Sequence, residues 1–427
     1  MKFCDKVNSV EEIIVRATPE GVDENKEALR VSKYKNCDTS VSLNGINERS
    51  KTSERVDSQD EEPEECKAEI LSEENWYTAY LNSLKNIDDL SKFISIPEEE
   101  KPILKQVIKT FHVRVPLYYL SLVKKMTDPH DPIRRQCIPS VEEIEREVHE
   151  KIDPLGEEKN SPAPCLVHRY PDRALLIVTG RCFMYCRHCT RKRLWRSRIP
   201  EPTLKDIDLA LTYVKENKEI REVIVSGGDP LTLPTEKIDY ILSNLSDIKS
   251  VEVIRIGTRA LAVFPQRIDE NLCKVLAKYE NLWINTQFNH PNEITSQSVL
   301  ACKKLQRCGI VISNQSVLLK GINDNVKTML ELCHKLQNIR VRPYYLYQCD
   351  PVVGAHHFRT SIWRGIDILE NMRGHTSGMC IPTFVVDGID GKGKIPISPN
   401  YVLSVSPDGL TLRNYKNETL FYFNPKE

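Results

Sequence analysis

From residue 174 onward the chain alternates between two hydrophobic periods. ALLIVTG (174–180) is a short apolar run that predicts a buried strand. LKDIDLALTYVKEN follows with apolar residues at three- and four-residue steps, the pattern of an amphipathic helix. The pair recurs as EVIVSGG with EKIDYILSNL, VEVIRIG with DENLCKVLAKYE, and LWINTQF with SQSVLACKKLQRCG. It recurs again as IVISNQSVLL with NVKTMLELCHKL and as VRPYYLYQ with IWRGIDILENM. Six strand–helix units with short links imply parallel strands and right-handed crossovers. A doubly wound sheet and a partial barrel both satisfy this.

The polar residues favour the barrel, because they fall at the C-terminal ends of different strands. Cysteines follow the first strand and Ser226-Gly227-Gly228-Asp229 the second. Gly257-Thr258-Arg259 follows the third, and Asn285, Gln287 and Asn289 end the fourth. Asn314 and Gln315 interrupt the fifth, and Asp350 follows the sixth. In barrel enzymes that rim carries the active site, whereas a doubly wound sheet concentrates it at one switch point. The expected fold class is α/β, a partial (β/α)6 barrel over residues 166–375.

The flanks read differently. Residues 69–165 are helical in pattern, as in ENWYTAYLNSLKNIDDLSKFI and EEEKPILKQVIKTF, with Asp131-Pro132 and Ile138-Pro139 as punctuation. Residues 1–68 are polar, with six acidic residues between Asp57 and Glu65, and read as a disordered tail. Residues 376–427 hold CIPTFVVD, the loop GIDGKGK and short strand-like runs, expected to pack on the barrel.

Lys plus Arg and Asp plus Glu are each 60, so the net charge is zero and a general nucleic-acid binder is not indicated. No apolar run approaches the roughly 20 residues that span a bilayer. The start, MKFCDKVNSVEEIIV, is acidic where a signal peptide has its apolar core. These features place the expected protein in the cytoplasm. Its 14 cysteines then favour reduced thiols and metal ligation over disulfides.

Three of them, Cys182, Cys186 and Cys189, stand at spacing C-x3-C-x2-C directly after the first strand. A structural zinc site wants four ligands, usually as two separated pairs, and no second pair follows. Three thiolates suit an iron–sulfur cluster with one iron left open.

That spacing is the signature of the radical S-adenosylmethionine (SAM) superfamily, and the resemblance extends further. TGRCFMYCRHCTRKR, VHRYPDR, SGGDPL, FNHPNE, SNQSVLLKGIND, RPYYLYQCD, FRTSIWRGIDILENMRGHTSG and FVVDG…GKIPISPNY together resemble the lysine 2,3-aminomutase family, over roughly residues 75–425. The resemblance implies a radical SAM barrel, a 4Fe–4S cluster on Cys182, Cys186 and Cys189, SAM, and pyridoxal phosphate (PLP). Gly227, Gly228, Asp229 and Gln315 match SAM contacts. Gln287 departs from the family, whose closest members tend to carry histidine in this motif; glutamine can hydrogen-bond but not titrate.

The PLP lysine of the family lies seven residues after the aspartate of FVVD and five before the proline of PNY. Both counts lead to Lys394, while Lys392 stands where glycine is usual. Arg169, Tyr170 and Arg173 match residues near PLP, and arginine suits phosphate through its planar fork. Arg191 matches the arginine that pairs with the substrate carboxylate. Lys192, Arg193 and Arg196 read as a solvated basic stretch. Asp350 and Asp387 match the two acids that hold a substrate ammonium. Two carboxylates can fix one ammonium by charge-assisted hydrogen bonds and would repel glutamate.

The implied activity is therefore the interconversion of L-lysine and L-β-lysine. Glutamate 2,3-aminomutase, or a relative that serves protein modification, is the alternative within this chemistry. An iron–sulfur electron carrier is the alternative outside it, and has no use for Lys394, Arg191 or the paired aspartates. A flavodoxin- or ferredoxin-type electron donor and a homodimer or homotetramer are implied by analogy. The C-terminal FYFNPKE lacks the cysteines of the zinc site found in some bacterial relatives, so no zinc is expected.

Overall fold

Alternate side chains of a strand point to opposite faces. In the runs 173–177, 222–226 and 253–257 one face is apolar throughout and the other mixes polar with apolar. In a computed structural model, which describes residues 75–195 and 200–425, the uniformly apolar face packs outward on helices. The tail expected over 1–68 lies outside the described residues, as does Arg196.

The N-terminal region forms five short helices: α1 (Trp76–Leu81), α2 (Ile87–Leu90), α3 (Lys101–Thr110), α4 (Leu117–Ser121) and α5 (Arg134–Cys137). Prolines 97, 116, 132 and 139 keep them short, since proline cannot donate within a helix and restrains the residue before it.

Strand β1 (Leu166–Tyr170) turns back antiparallel into β2 (Arg173–Ile177). The parallel series continues with β3 (Glu222–Ser226), β4 (Val253–Gly257), β5 (Leu282–Thr286), β6 (Val311–Leu318) and β7 (Arg342–Gln348). Between and after them run α6 (Leu204–Glu216), α7 (Thr235–Ser246), α8 (Ala260–Val263), α9 (Glu270–Leu276), α10 (Ser296–Arg307), α11 (Val326–Asn338) and α12 (Ile362–Met372). These are the six expected units. The α6 start is fixed by a capping box of Thr203 and Asp206, and that of α10 by Thr295 and Ser298.

Two additions extend the barrel. CIPTFVVD supplies a seventh parallel strand, β8 (Thr383–Gly388), and the chain returns antiparallel as β9 (Gly393–Pro396). The sheet thus runs β1 to β9 in chain order, with antiparallel strands at both edges. The edges approach each other without a strand ladder: Lys394 N–H on β9 donates to the Tyr170 hydroxyl on β1 at 2.8 Å.

Ala174, Leu176, Val223, Val225, Ile254 and Ile256 form the outer, buried face of the strands, packed with Ile207, Ala210, Ile238, Ile241 and Leu272 of the helices. The inner positions Arg173, Glu222, Ile224, Arg255, Trp283 and Gln315 line a lumen. Side chains therefore do not fill the barrel centre.

The last strands depart from expectation. β10 (Val402–Ser406), β11 (Gly409–Arg413) and β12 (Thr419–Phe423) form their own antiparallel sheet. Its outer strands are exposed along their whole length instead of lying on the barrel. It reaches the end of α12 through an Arg413–Glu370 ion pair and the Tyr415 ring beneath Gly374.

Charge pairs bind the cysteine loop to the helical region. Arg187 is wholly buried and donates Nε and Nη2 to Glu143 at 2.8 and 2.6 Å, and to the carbonyls of His112 and Phe111. Lys192 Nζ donates to the same carboxylate at 3.0 Å. Lys192 and Arg193 are 1% and 6% exposed, so the solvated basic stretch expected there is instead an internal one. A buried cation is tolerated only with a partner, and the partner here lies far off in sequence.

Glu143→Ala leaves two buried cations uncompensated and is expected to cost about 3–5 kcal/mol, read as a lower urea midpoint. Burial alone would raise the Glu143 pKa, but Arg187 and Lys192 hold it at about 2, below the ordinary 4.5. Its contribution is therefore fully present above pH ~4.5 and is lost as pH falls toward 2. Urea midpoints measured between pH 6 and 2 should drop over that window, and Glu143→Ala should flatten part of the drop.

Candidate active site

Because the inner strand positions are not packed against one another, the lumen is a cavity of about 930 Å³. That is near the upper end for a small-molecule site. All fourteen residues singled out from the sequence line it, although they come from seven strands or strand ends.

One end is built by the cysteine loop. Cys182, Cys186 and Cys189 are partly buried and face the cavity. Burial pushes the Cys189 thiol up to about 11 and raises the Cys182 thiol well above its ordinary value. The Arg259 guanidinium donates Nη1 to the Cys186 sulfur at 2.8 Å.

The Gly227-Gly228-Asp229 turn lies against this loop. Gly228 N–H donates to Thr179 O at 2.6 Å, and Asp229 N–H to Arg181 O at 2.7 Å. A Cβ on Gly228 would stand 2.1 Å from the Arg181 carbonyl oxygen, and one on Gly227 2.3 Å from that of Thr179. Only glycine permits that approach. Asp229 is buried and its carboxylate is occupied by the Thr258 hydroxyl (2.8 and 2.9 Å) and the backbone N–H groups of Arg259 and Leu231. It ties the second and third strand ends together.

Gln287 faces the cysteine loop. Its amide nitrogen lies 3.0 Å from His188 Nε2, and that of Asn289 lies 3.2 Å from the same atom. Two donors on Nε2 assign the ring proton to Nδ1. Burial holds the ring neutral. Asn289 and Asn314 bond to backbone and neighbouring side chains and do not line the cavity, whereas Gln315 faces it.

The other end is built by the hairpin β8–β9 and the edge strand β1. Pairing register sets Asp387 directly opposite Lys394. Lys394 Nζ lies 3.4 Å from Asp387 Oδ1 and 5.5 Å from the centre of the Tyr347 ring. Arg169 Nη2 reaches the same Asp387 oxygen at 3.4 Å. Lys392, the other lysine of the loop, is exposed and outside the cavity. Tyr170 lies beneath Arg173, whose guanidinium carbon is 3.9 Å from the ring centre. Arg173 also pairs with Asp172 at 2.7 Å.

Asp350 lies near Asp387 and Lys394. Burial, then the charge of Asp387, pushes its pKa up to about 7. Between the two ends stands Arg191, which grips Glu157 with Nε and Nη2 (2.7–3.0 Å) and gives Nη1 to Ser226 at 3.1 Å. Glu157 also accepts from Arg193 at 2.6 Å. Burial opposes its ionisation, yet Arg191 and Arg193 hold its pKa at about 2.

The donor sets fit the groups that the motifs imply. Among the described residues no three His, Cys, Asp or Glu side chains gather round a single metal ion. The three thiols are strung along an eight-residue loop, a setting for a cluster of several irons. His188 Nδ1, between two of those cysteines in sequence, is buried without a partner, and such donors are rare unless something meets them. At the far end a primary amine, a stacked tyrosine–arginine pair and a second arginine suit an aldehyde cofactor that carries a phosphate.

Sequence reasoning flagged Arg259 without a role and Gln287 as a departure at a SAM-contact position of the family, and missed Glu157 and Tyr347. Glu157, one of two adjacent acids in GEEKNSP, carries no local signal of the two arginines that it meets.

Residues 176–333 match the radical SAM superfamily, and residues 369–427 match the family described as lysine-2,3-aminomutase. The L-lysine 2,3-aminomutase of Clostridium subterminale is 46% identical over 351 residues, 82% of this chain and 84% of that protein. That of Methanococcus maripaludis is 47% identical over 348 residues, 81% and 80% of the two chains. The glutamate 2,3-aminomutase of Clostridioides difficile is 41% identical over 402 residues, 92% and 95%. A barrel lumen with three thiols at one end and a lysine facing an aspartate at the other, joined to this degree of identity, leads to one conclusion: the chain belongs to the lysine 2,3-aminomutase family of radical SAM enzymes.

Proposed function

We propose that the protein interconverts L-lysine and L-β-lysine by moving the α-amino group to the neighbouring carbon. The observation that carries this reading is the pair of acids, Asp350 and Asp387, that line the lumen together with Lys394, Asp387 3.4 Å from its Nζ. When bound, the cluster with SAM supplies a one-electron route to hydrogen abstraction, and PLP supplies an aldehyde and a conjugated ring. The electron comes from a flavodoxin- or ferredoxin-type donor.

The chain's own residues do the rest. Cys182, Cys186 and Cys189 would hold the cluster, and the Gly227-Gly228 backbone and Gln315, which line the same cavity, would border SAM. Lys394 Nζ would carry PLP, with Arg173 and Arg169 available to its phosphate and Tyr170 beside them. Lys394 must lose its proton to react, and Asp387 Oδ1 at 3.4 Å is the nearby acceptor. With Lys394 holding the cofactor, Asp387 would keep Arg169 at 3.4 Å, but the pair of acids would have lost one cation. The side-chain ammonium of a substrate lysine restores it. Arg191, already turned by Glu157, presents its Nη1 side to the substrate carboxylate. Burial at both ends of the lumen excludes water, so that a reactive species meets only the bound substrate.

The same site disfavours glutamate, whose side-chain carboxylate would meet two buried acids. The resemblance to a glutamate enzyme makes this the reading to exclude by experiment.

Anaerobic protein reconstituted with iron, sulfide, PLP, SAM and dithionite is expected to give β-lysine from L-lysine and no β-glutamate from L-glutamate, the products separated by chromatography. β-Glutamate as the main product would overturn the assignment of the two acids. Lys394→Ala should abolish turnover and the visible absorbance of bound PLP while leaving iron content unchanged.

The pKa of Asp350 gives a pH signature. With that group near 7 in the free enzyme, an incoming ammonium favours its ionised form. KM for lysine should therefore rise as pH falls below about 7, with a smaller change in kcat. Asp350→Asn should remove that dependence and lower kcat/KM by about 10²-fold or more, the scale of one lost member of a buried charge pair.

A further inference from the structure

We infer that Arg259 is a positioning residue for the iron–sulfur cluster: its Nη1–H donates to the Cys186 sulfur and holds the cluster's reduction potential up. This rests on the reading that Cys182, Cys186 and Cys189 bind that cluster.

The geometry leaves Arg259 little freedom. It is 7% exposed, and a guanidinium does not lose its proton in a protein. Nε donates to the Gln287 carbonyl at 3.3 Å. Nη2 is shared among Gln136 Oε1 (2.6 Å), Glu293 Oε1 (2.7 Å) and the Tyr119 hydroxyl (3.4 Å). Nη1 alone is directed at sulfur, at 2.8 Å.

The anchors are themselves fixed. Tyr119 donates its hydroxyl to Glu293 Oε1 at 2.6 Å, and Glu293 Oε2 accepts the backbone N–H groups of Asn289 (2.5 Å) and His290 (3.0 Å). Tyr119 belongs to α4 and Gln136 to α5, so the N-terminal helices reach the sulfur through one side chain. A surface arginine beside a cysteine would carry no such inference; this one is buried and held from three directions.

Reduction adds one electron from a low-potential donor to the oxidised cluster, and no atom changes partner. The added charge resides partly on the ligand sulfurs. A fixed cationic donor stabilises that charge more than the oxidised state, which raises the potential. Easier reduction is what a low-potential donor needs if each turnover begins with electron transfer.

The test is a redox titration of the full chain, reconstituted anaerobically with iron, sulfide and PLP and followed by electron paramagnetic resonance. Arg259→Met is combined with Glu293→Gln, so that no carboxylate is left unpaired; Arg259→Lys is the conservative partner. At the midpoint of the unchanged protein, the ratio of reduced to oxidised cluster should fall about tenfold in the double variant, ~59 mV for one electron. Arg259→Lys should fall between the two. A midpoint in the double variant equal to that of the unchanged protein, at full iron content, overturns the inference. A measurement that needs no variant stands beside this. The unchanged protein, made with arginine labelled with nitrogen-15 in the guanidinium alone, should show a weak nitrogen coupling to the reduced cluster in pulsed resonance spectra. Absence of that coupling also overturns the inference. If the unchanged protein takes up no iron, the cysteine reading itself fails, and this inference with it.

Discussion

Buried charge around one loop is the constraint on which the rest depends. Arg187, Arg191, Lys192 and Arg193 belong to the cysteine loop or follow directly upon it, and Arg259 reaches it from a strand end. Each meets a carboxylate from elsewhere: Glu143, Glu157 or Glu293. Taking five cations out of water is costly unless partners and hydrogen bonds meet them. Once met, they fix the loop against the helical region on one side and against the strand ends on the other. The loop can then present three thiols to the lumen without depending on helix or strand of its own.

The opposite end of the lumen follows a different rule. There the position of each group comes from sheet register, which strand pairing sets residue by residue. Asp387 and Lys394 are neighbours because a hairpin pairs them, and the Tyr170 hydroxyl accepts the Lys394 backbone N–H across the open edge of the barrel. The acids and the amine therefore face each other before any substrate arrives. The burial that makes a lone Asp350 charge costly also favours a cation placed beside it.

Between the two ends the glycine pair has a reason that chemistry alone did not supply. Gly227 and Gly228 pack their backbone on the carbonyls of Thr179 and Arg181. The close approach serves the protein's own loop first, and only through it the space beside the thiols. Asp229 likewise spends its carboxylate on neighbouring strand ends. The matching motif was plain in the sequence, but the division of labour inside it depended on which backbone atoms came within contact.

The sequence by itself determined the order of strands and helices, the barrel class and the three-cysteine loop, and the motif counts of the family resemblance pointed to Lys394, which the structure places in the lumen while Lys392 lies outside it. All of these are carried by short-range features: a period of two or 3.6 residues, a fixed spacing, a count from a neighbouring motif. Only the tertiary structure decided that Lys192 and Arg193 are internal, that the last three strands stand apart from the barrel, and that Arg259 ends on a sulfur. Glu157 lies 34 residues from Arg191, and Glu143 lies 49 from Lys192. An exposed arginine and a buried one look alike in a sequence, because the difference lies in the distant carboxylate that folding brings to one and not to the other.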